Sequence, residues 1–231
     1  MPFPSEKFQF KSSHIFEGLS NEEQQILTVN SVTHHYKKGE ILFREGGIAT
    51  GIYFLKKGKV KKYKTTNDDK EQIFYVCNQG ELMGYHALLS EERYPDSAAI
   101  IEDAEVMFIP KENFLKVLDS SPVLSKWLLK LLSHEFRVFI NLITSIATKS
   151  VRERLALGLL IVNEKYQGNG KENFPADINM SRGDLANMIG TAKETLVRLL
   201  HDFKDEQLIE TSGRIIRILD KKGLVKVANF F

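Results

Sequence analysis

The chain has 231 residues, 42% of them hydrophobic and 27% charged, enough to bury one large core or two ordinary ones. Its formal net charge of +2 is too small to argue for nucleic acid by itself, and its longest apolar run, Leu155 to Val162, falls short of the roughly 18–20 residues that cross a bilayer. MPFPSEKFQF at the start has no basic segment followed by an apolar one, so no secretory signal is expected; the single cysteine, Cys77, excludes an internal disulfide and any cluster of several thiolates, and suits a reducing cytoplasm.

HIFEGLSNEEQQIL, His14 to Leu27, predicts a short helix capped by Ser20, with Glu22 and Glu23 in its first turn. From about Val32 the apolar period shortens. Strands are predicted at Glu40–Phe43, Gly51–Leu55, Val60–Tyr63, Gln72–Val76, Ala98–Ile101 and Glu105–Ile109. Gly39, Gly46-Gly47, Gly58, Asn67-Asp68-Asp69, Gly80 and Gly84 punctuate them. Many short strands at regular spacing predict an all-β sandwich or jelly roll over residues 1–121.

Lys111 to Leu118 reads as one or two helical turns, and a long helix is expected from Pro122, which suits a first-turn position. Its apolar residues form a stripe about half the circumference wide, more than one core needs. Such a stripe can pack on the β-domain and still offer a seam to a second copy. Leu124, Leu128, Leu131, Val138, Leu142 and Ile146 are the expected dimer contacts. Glu135 projects into the middle of the stripe, where it reaches the rim or pairs across the seam; the rim is preferred. Ala147 to Ser150 is small and polar and reads as a hinge, closing a segment 122–149. Val151 to Tyr166 is a further amphipathic helix, and QGNGKEN, Gln167 to Asn173, is a loop.

Ser181 to Phe203, SRGDLANMIGTAKETLVRLLHDF, reads as two short helices turned at Ile189-Gly190. Ser181 with Asp184, and Thr191 with Glu194, resemble capping boxes. At about 100° per residue, Ala192, Leu196, Leu199, Leu200 and Phe203 fall on one side of the second helix. Lys193, Glu194, Val197, Arg198 and His201 fall on the other. That is the pattern of a helix-turn-helix whose second helix enters a DNA major groove. An αα-hairpin with a solvated charged face has the same shape. The chain beyond Phe203 favours the helix-turn-helix: Leu208–Thr211, a Ser212-Gly213 turn and Arg214–Leu219 form a β-hairpin, a wing that sets Arg214 near a phosphate backbone. Residues 150–231 then form a winged helix-turn-helix.

A jelly roll, a long helix and a winged helix-turn-helix, an α+β arrangement, resemble the Crp/Fnr family of bacterial transcription regulators. The resemblance is carried by KKGEILFREGG at 37–47, IYFLKKGKVKKY at 52–63, GELMGYHALLSEERYPDSAAI at 80–100, VRERLA at 151–156 and SRGDLANMIGTAKETLVRLL at 181–200. The last is the most specific. It implies base contacts from Lys193, Glu194 and Arg198 and phosphate contacts from Ser181, Arg182, Thr195, His201 and Arg214. Arginine can bond guanine O6 and N7 bidentately, and a carboxylate can accept from the cytosine N4 amine. Glu194 has a second reading, as the reach-back half of a capping box. Lys193 stands where family members commonly have arginine, which changes the recognition geometry there. The implied partners are double-stranded DNA, a second copy of the chain and RNA polymerase, with no membrane.

The effector pocket departs from the resemblance. In cyclic-AMP-binding members, the loop matching Met83 to Ala98 carries a glutamate after a glycine, which grips the ribose. It also carries an arginine–serine pair, whose arginine neutralises the cyclic phosphate. Here Gly84 is followed by Tyr85, and Ser97 is preceded by Asp96. A carboxylate facing a phosphate in a partly buried pocket is costly. Phe139 and Ile140, the expected pocket positions on the long helix, offer a base no side-chain hydrogen bond. Cyclic AMP is therefore not expected, and an unidentified small effector is left open. Arg93 either holds some other anion or is a surface charge. One cysteine cannot build the iron–sulfur cluster of the oxygen-sensing branch. Haem would need a ligand such as His34, His35 or His86, of which only His86 lies in the effector loop. A cupin-type metalloenzyme shares the jelly roll, but His34 and His35 are adjacent and no H-x-H pair exists. No catalytic or metal-binding residues are expected. A regulator with the same fold and no sensing role also fits the sequence.

Overall fold

The computed structural model of the chain describes residues 3–10, 15–167 and 176–229. His14 and most of the predicted loop Gln167 to Asn173 lie outside them. The described residues form two compact units. One is Phe10–Thr65 with Tyr75–Phe136, and the other is drawn from Met1–Gln9, Thr66–Phe74 and Arg137–Phe231.

The first unit begins with α1 (Asn21–Thr28), which starts directly after the expected cap. Ser20 caps it in a reciprocal box: its Oγ accepts from Glu23 N, and the Glu23 carboxylate accepts from Ser20 N. The strands are β1 (Val32–Tyr36), β2 (Ile41–Phe43), β3 (Gly51–Thr65), β4 (Glu71–Cys77), β5 (Leu82–Met83) and β6 (Ser97–Pro110), with α2 (Tyr85–Leu89) between β5 and β6. They form a sheet of order β1-β6-β3-β4, with β2 also on β6 and β5 on β3. The predicted segments Gly51–Leu55 and Val60–Tyr63 are one strand of 15 residues, and Ala98–Ile101 and Glu105–Ile109 are one of 14. Gly58, expected to end a strand, instead takes φ +91° within β3, where the register against β6 shifts between Leu55 and Val60. Only glycine enters that conformation freely, so the chain bulges and bends and pairing continues on both sides. Ile52, Leu55 and Val60 of β3 and Ile100 and Ile109 of β6 are buried, as are Phe114 and Val117 of α3 (Lys111–Ser120).

Helix α4 runs from Pro122 to Thr148, so the proline takes the expected first-turn place. Ala147 and Thr148 remain helical, and the break before α5 (Val151–Tyr166) narrows to Lys149 and Ser150. The second unit continues with α6 (Arg182–Ile189), α7 (Lys193–Asp205), β7 (Ile209–Ser212), β8 (Ile215–Ile218) and α8 (Lys221–Ala228). Its core gathers Leu155, Leu159 and Leu160 of α5 with Leu185, Leu196, Phe203, Ile216, Ile218 and Leu224. Among the described residues, no helix is long and apolar enough to cross a membrane.

Ser150 starts α5 with a second capping box. Its Oγ accepts from Glu153 N at 3.3 Å, and Glu153 Oε2 accepts from Ser150 N at 2.7 Å. Glu153 Oε1 also accepts from Asn229 Nδ2 past the end of α8, at 3.0 Å. The Ser150 hydroxyl, then Asn229 and the Ser150 amide hold the Glu153 carboxyl down at about 2, against 4.5 for a free glutamate. A depressed carboxyl stabilises the fold above its unfolded value, and that stability is lost as pH falls through the folded one. A Glu153→Gln variant should therefore melt below the wild type at pH 6. The gap should narrow below about pH 4.5 and close near pH 2, read as thermal midpoints across that range.

Candidate nucleic-acid interface

Ser181 caps α6, its Oγ accepting from Asp184 N at 2.9 Å and donating to Asp184 Oδ2 at 2.7 Å. The helix ends at Gly190 in the left-handed region (φ 67°, ψ 55°), as the sequence pattern requires. Arg154 of α5 reaches this turn. Its Nε donates to Ile189 O (2.8 Å), Nη2 to Gly190 O (3.2 Å) and Nη1 to Lys149 O (3.0 Å). One guanidinium thus satisfies carbonyls that the end of α6 leaves open and ties the turn to the break before α5. The sequence reading missed Arg154, although it stands in the VRERLA segment.

The predicted cap at Thr191 is not formed. Ala192 is the N-cap of α7 and makes no side-chain cap bond, because α7 starts one residue later than the motif implies. Glu194 therefore has no reach-back role. Ala192 is itself exposed rather than on the buried face. Leu196, Leu199, Leu200 and Phe203 are buried as expected. Arg152 of α5 lies over the Phe203 ring at 4.8 Å and holds both Glu206 carboxylate oxygens, at 2.8 and 2.6 Å. The burial of those four residues sets which side of α7 faces out. Lys193, Glu194, Val197, Arg198 and His201 are all exposed there, and Thr195 is half-buried. The side chains of Lys193, Glu194 and Arg198 form no ion pair or hydrogen bond with any described residue.

The wing turns at Gly213-Arg214, one residue later than predicted, with Ser212 opposite Ile215 and Ile209 opposite Ile218. Arg214 is exposed at the tip. Arg182 donates to the carbonyls of Arg214 (3.0 Å) and Gly213 (3.2 Å), so its guanidinium pins the wing to α6. Partial burial lowers its pKa from the usual arginine value.

The expected seam on α4 is corrected at four of its six positions. Leu124, Leu128, Leu131 and Val138 are buried within the chain itself, and Leu142 is half-buried. The open apolar face carries Leu129 (67% exposed), Phe136 (68%) and Ile143 (65%), with Ile140 and Ile146 beside them. Glu135 neither reaches the rim nor faces a seam. It is 2% exposed and accepts from the Tyr85 hydroxyl at Oε1, while His86 Nε2 lies 2.8 Å from Oε2. Burial, then the neighbouring Glu135 carboxylate, pushes the Tyr85 hydroxyl far above the usual phenol range, so it stays a donor.

The other effector-loop residues separate into inner and outer sets. Asp96 is buried and forms an ion pair with the buried Lys62 ammonium at 3.2 Å. Burial disfavours that ammonium, but Asp96, Cys77 and Glu135 outweigh it and raise its pKa. Lys62 was not foreseen, though it shares strand parity with the buried Val60. Ser97 Oγ accepts from Glu45 N at 2.9 Å. Arg93 is exposed and donates to Gly46 O at 2.9 Å, which makes it a loop staple. Gly84 is the N-cap of α2. Phe139 is half-buried against the Phe74 ring, and Ile140 is exposed; toward the effector loop α4 sends Glu135 instead. Among the described residues, no group of three or more histidine, cysteine or acidic side chains is arranged to hold a metal ion.

A cyclic nucleotide-binding domain model matches residues 33–121, and a Crp-like helix-turn-helix domain model matches residues 153–227. The transcriptional activator protein FnrA of Stutzerimonas stutzeri is 30% identical over 192 residues, which are 83% of this chain and 78% of the relative. The fumarate and nitrate reduction regulatory protein of Escherichia coli is 28% identical over 83% of this chain and 76% of its own length. A solved Crp/Fnr-family regulator from Eubacterium rectale superposes with a TM-score of 0.74 at 23% identity, covering 93% of this chain and 97% of that one, a likeness of fold. With its nucleotide-binding-type sheet domain, its winged helix-turn-helix and its likeness to FnrA, the chain belongs to the Crp/Fnr family of transcription regulators, whose members are not enzymes.

Proposed function

We propose that the chain acts as a homodimer that reads a pseudo-palindromic promoter site in the cytoplasm and meets RNA polymerase there. Residues 1–121 serve as the sensor-type domain, 122–149 as the dimerisation helix and hinge, and 150–231 as the DNA-binding domain. The observation that carries this reading is the exposed side of α7, where Lys193, Glu194 and Arg198 project without partners among the described residues. Unpaired charges at the start of a second helix are what base-edge recognition in the major groove needs. Ser181, Thr195, His201 and Arg214 contact phosphates, and Arg182 acts on phosphate through the wing it positions.

The open face of α4 supports the dimer. Leu129, Phe136 and Ile143 recur every seven residues, with Leu132 and Ile146 three positions on, the spacing of a two-helix seam. Two-fold symmetry would then place two copies of α7 about one helical turn of DNA apart.

Cyclic AMP does not fit this interior in the family's manner. Lys62 and Asp96 pair with each other where the cyclic phosphate would need an unopposed cation, and Tyr85 and Glu135 bond to each other. Any effector would be of another chemistry. A regulator that needs none, with Glu135 joining α4 to the β-domain permanently, is favoured by the same bonds.

Arg198→Ala should lose site-specific binding, at about 1–3 kcal/mol per half-site, while Lys193→Arg should alter base preference at one position. Genomic footprinting beside the wild type checks both, and a retained footprint for Arg198→Ala would overturn the assignment. Phe136→Glu should yield monomers in sedimentation. Tyr85→Phe should cost about 1–3 kcal/mol in urea unfolding, because a buried carboxylate oxygen loses its donor. Calorimetry should detect no micromolar cyclic AMP binding.

A further inference from the structure

The β-domain also carries a cleft between the loop 46–50, α2 and α3, and its lining shares nothing with the Lys62–Asp96 and Tyr85–Glu135 pairs. Its volume is about 660 Å³, within the roughly 300–1,000 Å³ of small-molecule sites. Buried Ala49, Ala87 and Leu88, with half-buried Leu115, give it an apolar floor, and Ile48 stands beside them 71% exposed. Main-chain bonds fix the walls. Gly46 N donates to Tyr94 O and Tyr94 N to Gly47 O, while Lys111 N donates to Thr50 O, all at 2.9 Å.

Four charges line the same cleft, Glu91 and Glu92 with Arg93 and Lys111. All four are exposed, and none forms an ion pair with any described residue. Elsewhere in this domain lysines do find carboxylates, as Lys37 finds Asp103, Lys56 finds Glu105 and Lys64 finds Glu45. Arg93 commits one nitrogen, Nη1, to Gly46 O, and the rest of its guanidinium is left for the cleft. Glu91 takes φ 57°, in the left-handed region, where glycine would avoid the steric cost that glutamate carries. Strain of that kind is often kept where a side chain has work to do.

An apolar floor flanked by two carboxylates and two cations, left unneutralised by one another, complements a zwitterion. We infer that the cleft binds a free α-amino acid with an apolar side chain, of the size of leucine or phenylalanine. The side chain covers Ala87, Leu88 and Leu115, Glu91 and Glu92 hold the ammonium, and Arg93 and Lys111 hold the carboxylate. A simple anion would meet the two glutamates, and a simple cation would meet the arginine and the lysine. Ala87 and Leu88 belong to α2, whose Tyr85 and His86 bond Glu135, so a bound amino acid and α4 grip the same short helix. The inference does not rest on the recognition-helix reading of α7.

Calorimetry on the full chain without DNA tests it. Leucine should bind with a sub-millimolar dissociation constant. Glycine, which lacks the side chain, should bind roughly tenfold more weakly or worse. Isoamylamine lacks the carboxylate and isocaproate lacks the ammonium; each should bind about fivefold more weakly than leucine, because the charges that hold them are exposed. Lys111→Gln should weaken leucine by a similar factor and leave isoamylamine unchanged. Glu91→Gly should weaken leucine and leave isocaproate unchanged, and glycine suits that backbone, so the loss is not one of folding. Absence of binding by both leucine and phenylalanine would overturn the inference. So would analogues that bind as tightly as leucine, or leucine binding indifferent to both substitutions.

Discussion

Leu196, Leu200 and Phe203 are buried almost completely, and their burial fixes the rotation of α7 about its own axis. Each such side chain is worth about 1.5–3 kcal/mol in the core, far more than any exposed contact on the opposite side. Turning the helix by one residue would expose part of that set. The outward face is therefore determined by what the inward face cannot give up. Arg152 reinforces the choice by covering Phe203 and holding Glu206. Arg154 and Arg182 do the same for the turn and the wing. Three arginines thus support the scaffold, and Lys193, Glu194 and Arg198 are left without partners among the described residues.

The long helix carries two apolar sets on one stripe. Leu124, Leu128, Leu131, Glu135 and Val138 turn into the chain, and Leu129, Phe136 and Ile143 turn out. Both sets have helical spacing, so periodicity alone finds one wide apolar band. Glu135 is what separates them. A carboxylate is tolerated at 2% exposure only with partners, and Tyr85 and His86 supply them. The residue that looked out of place in a seam belongs to the other face.

That bond also changes the character of the β-domain interior. Tyr85 with Glu135, and Lys62 with Asp96, join α2 to α4 and β3 to the start of β6 through buried polar groups. Their mutual pairing offsets much of the cost of burying them, and removing one partner leaves the other exposed to that cost. Glu135 thereby ties α4 to α2 through groups that belong to the chain itself.

Much was legible in the sequence because it depends on local rules. Ser20 and Ser181 announce helix starts, Pro122 opens α4, Gly190 ends α6, and the apolar period of α7 separates its two sides. The family pattern in Ser181 to Leu200 stands in consecutive residues and could be read directly. The tertiary structure decided what depends on distant neighbours. It joined four predicted strands into β3 and β6, because a bulged glycine does not end a ladder whose partner continues. It assigned each face of α4, gave Asp96 to Lys62 across 34 positions, and gave Glu135 to Tyr85 across 50. Spacing along one element shows which side chains lie together, whereas the side on which they find water, apolar surface or a charge is set by another element.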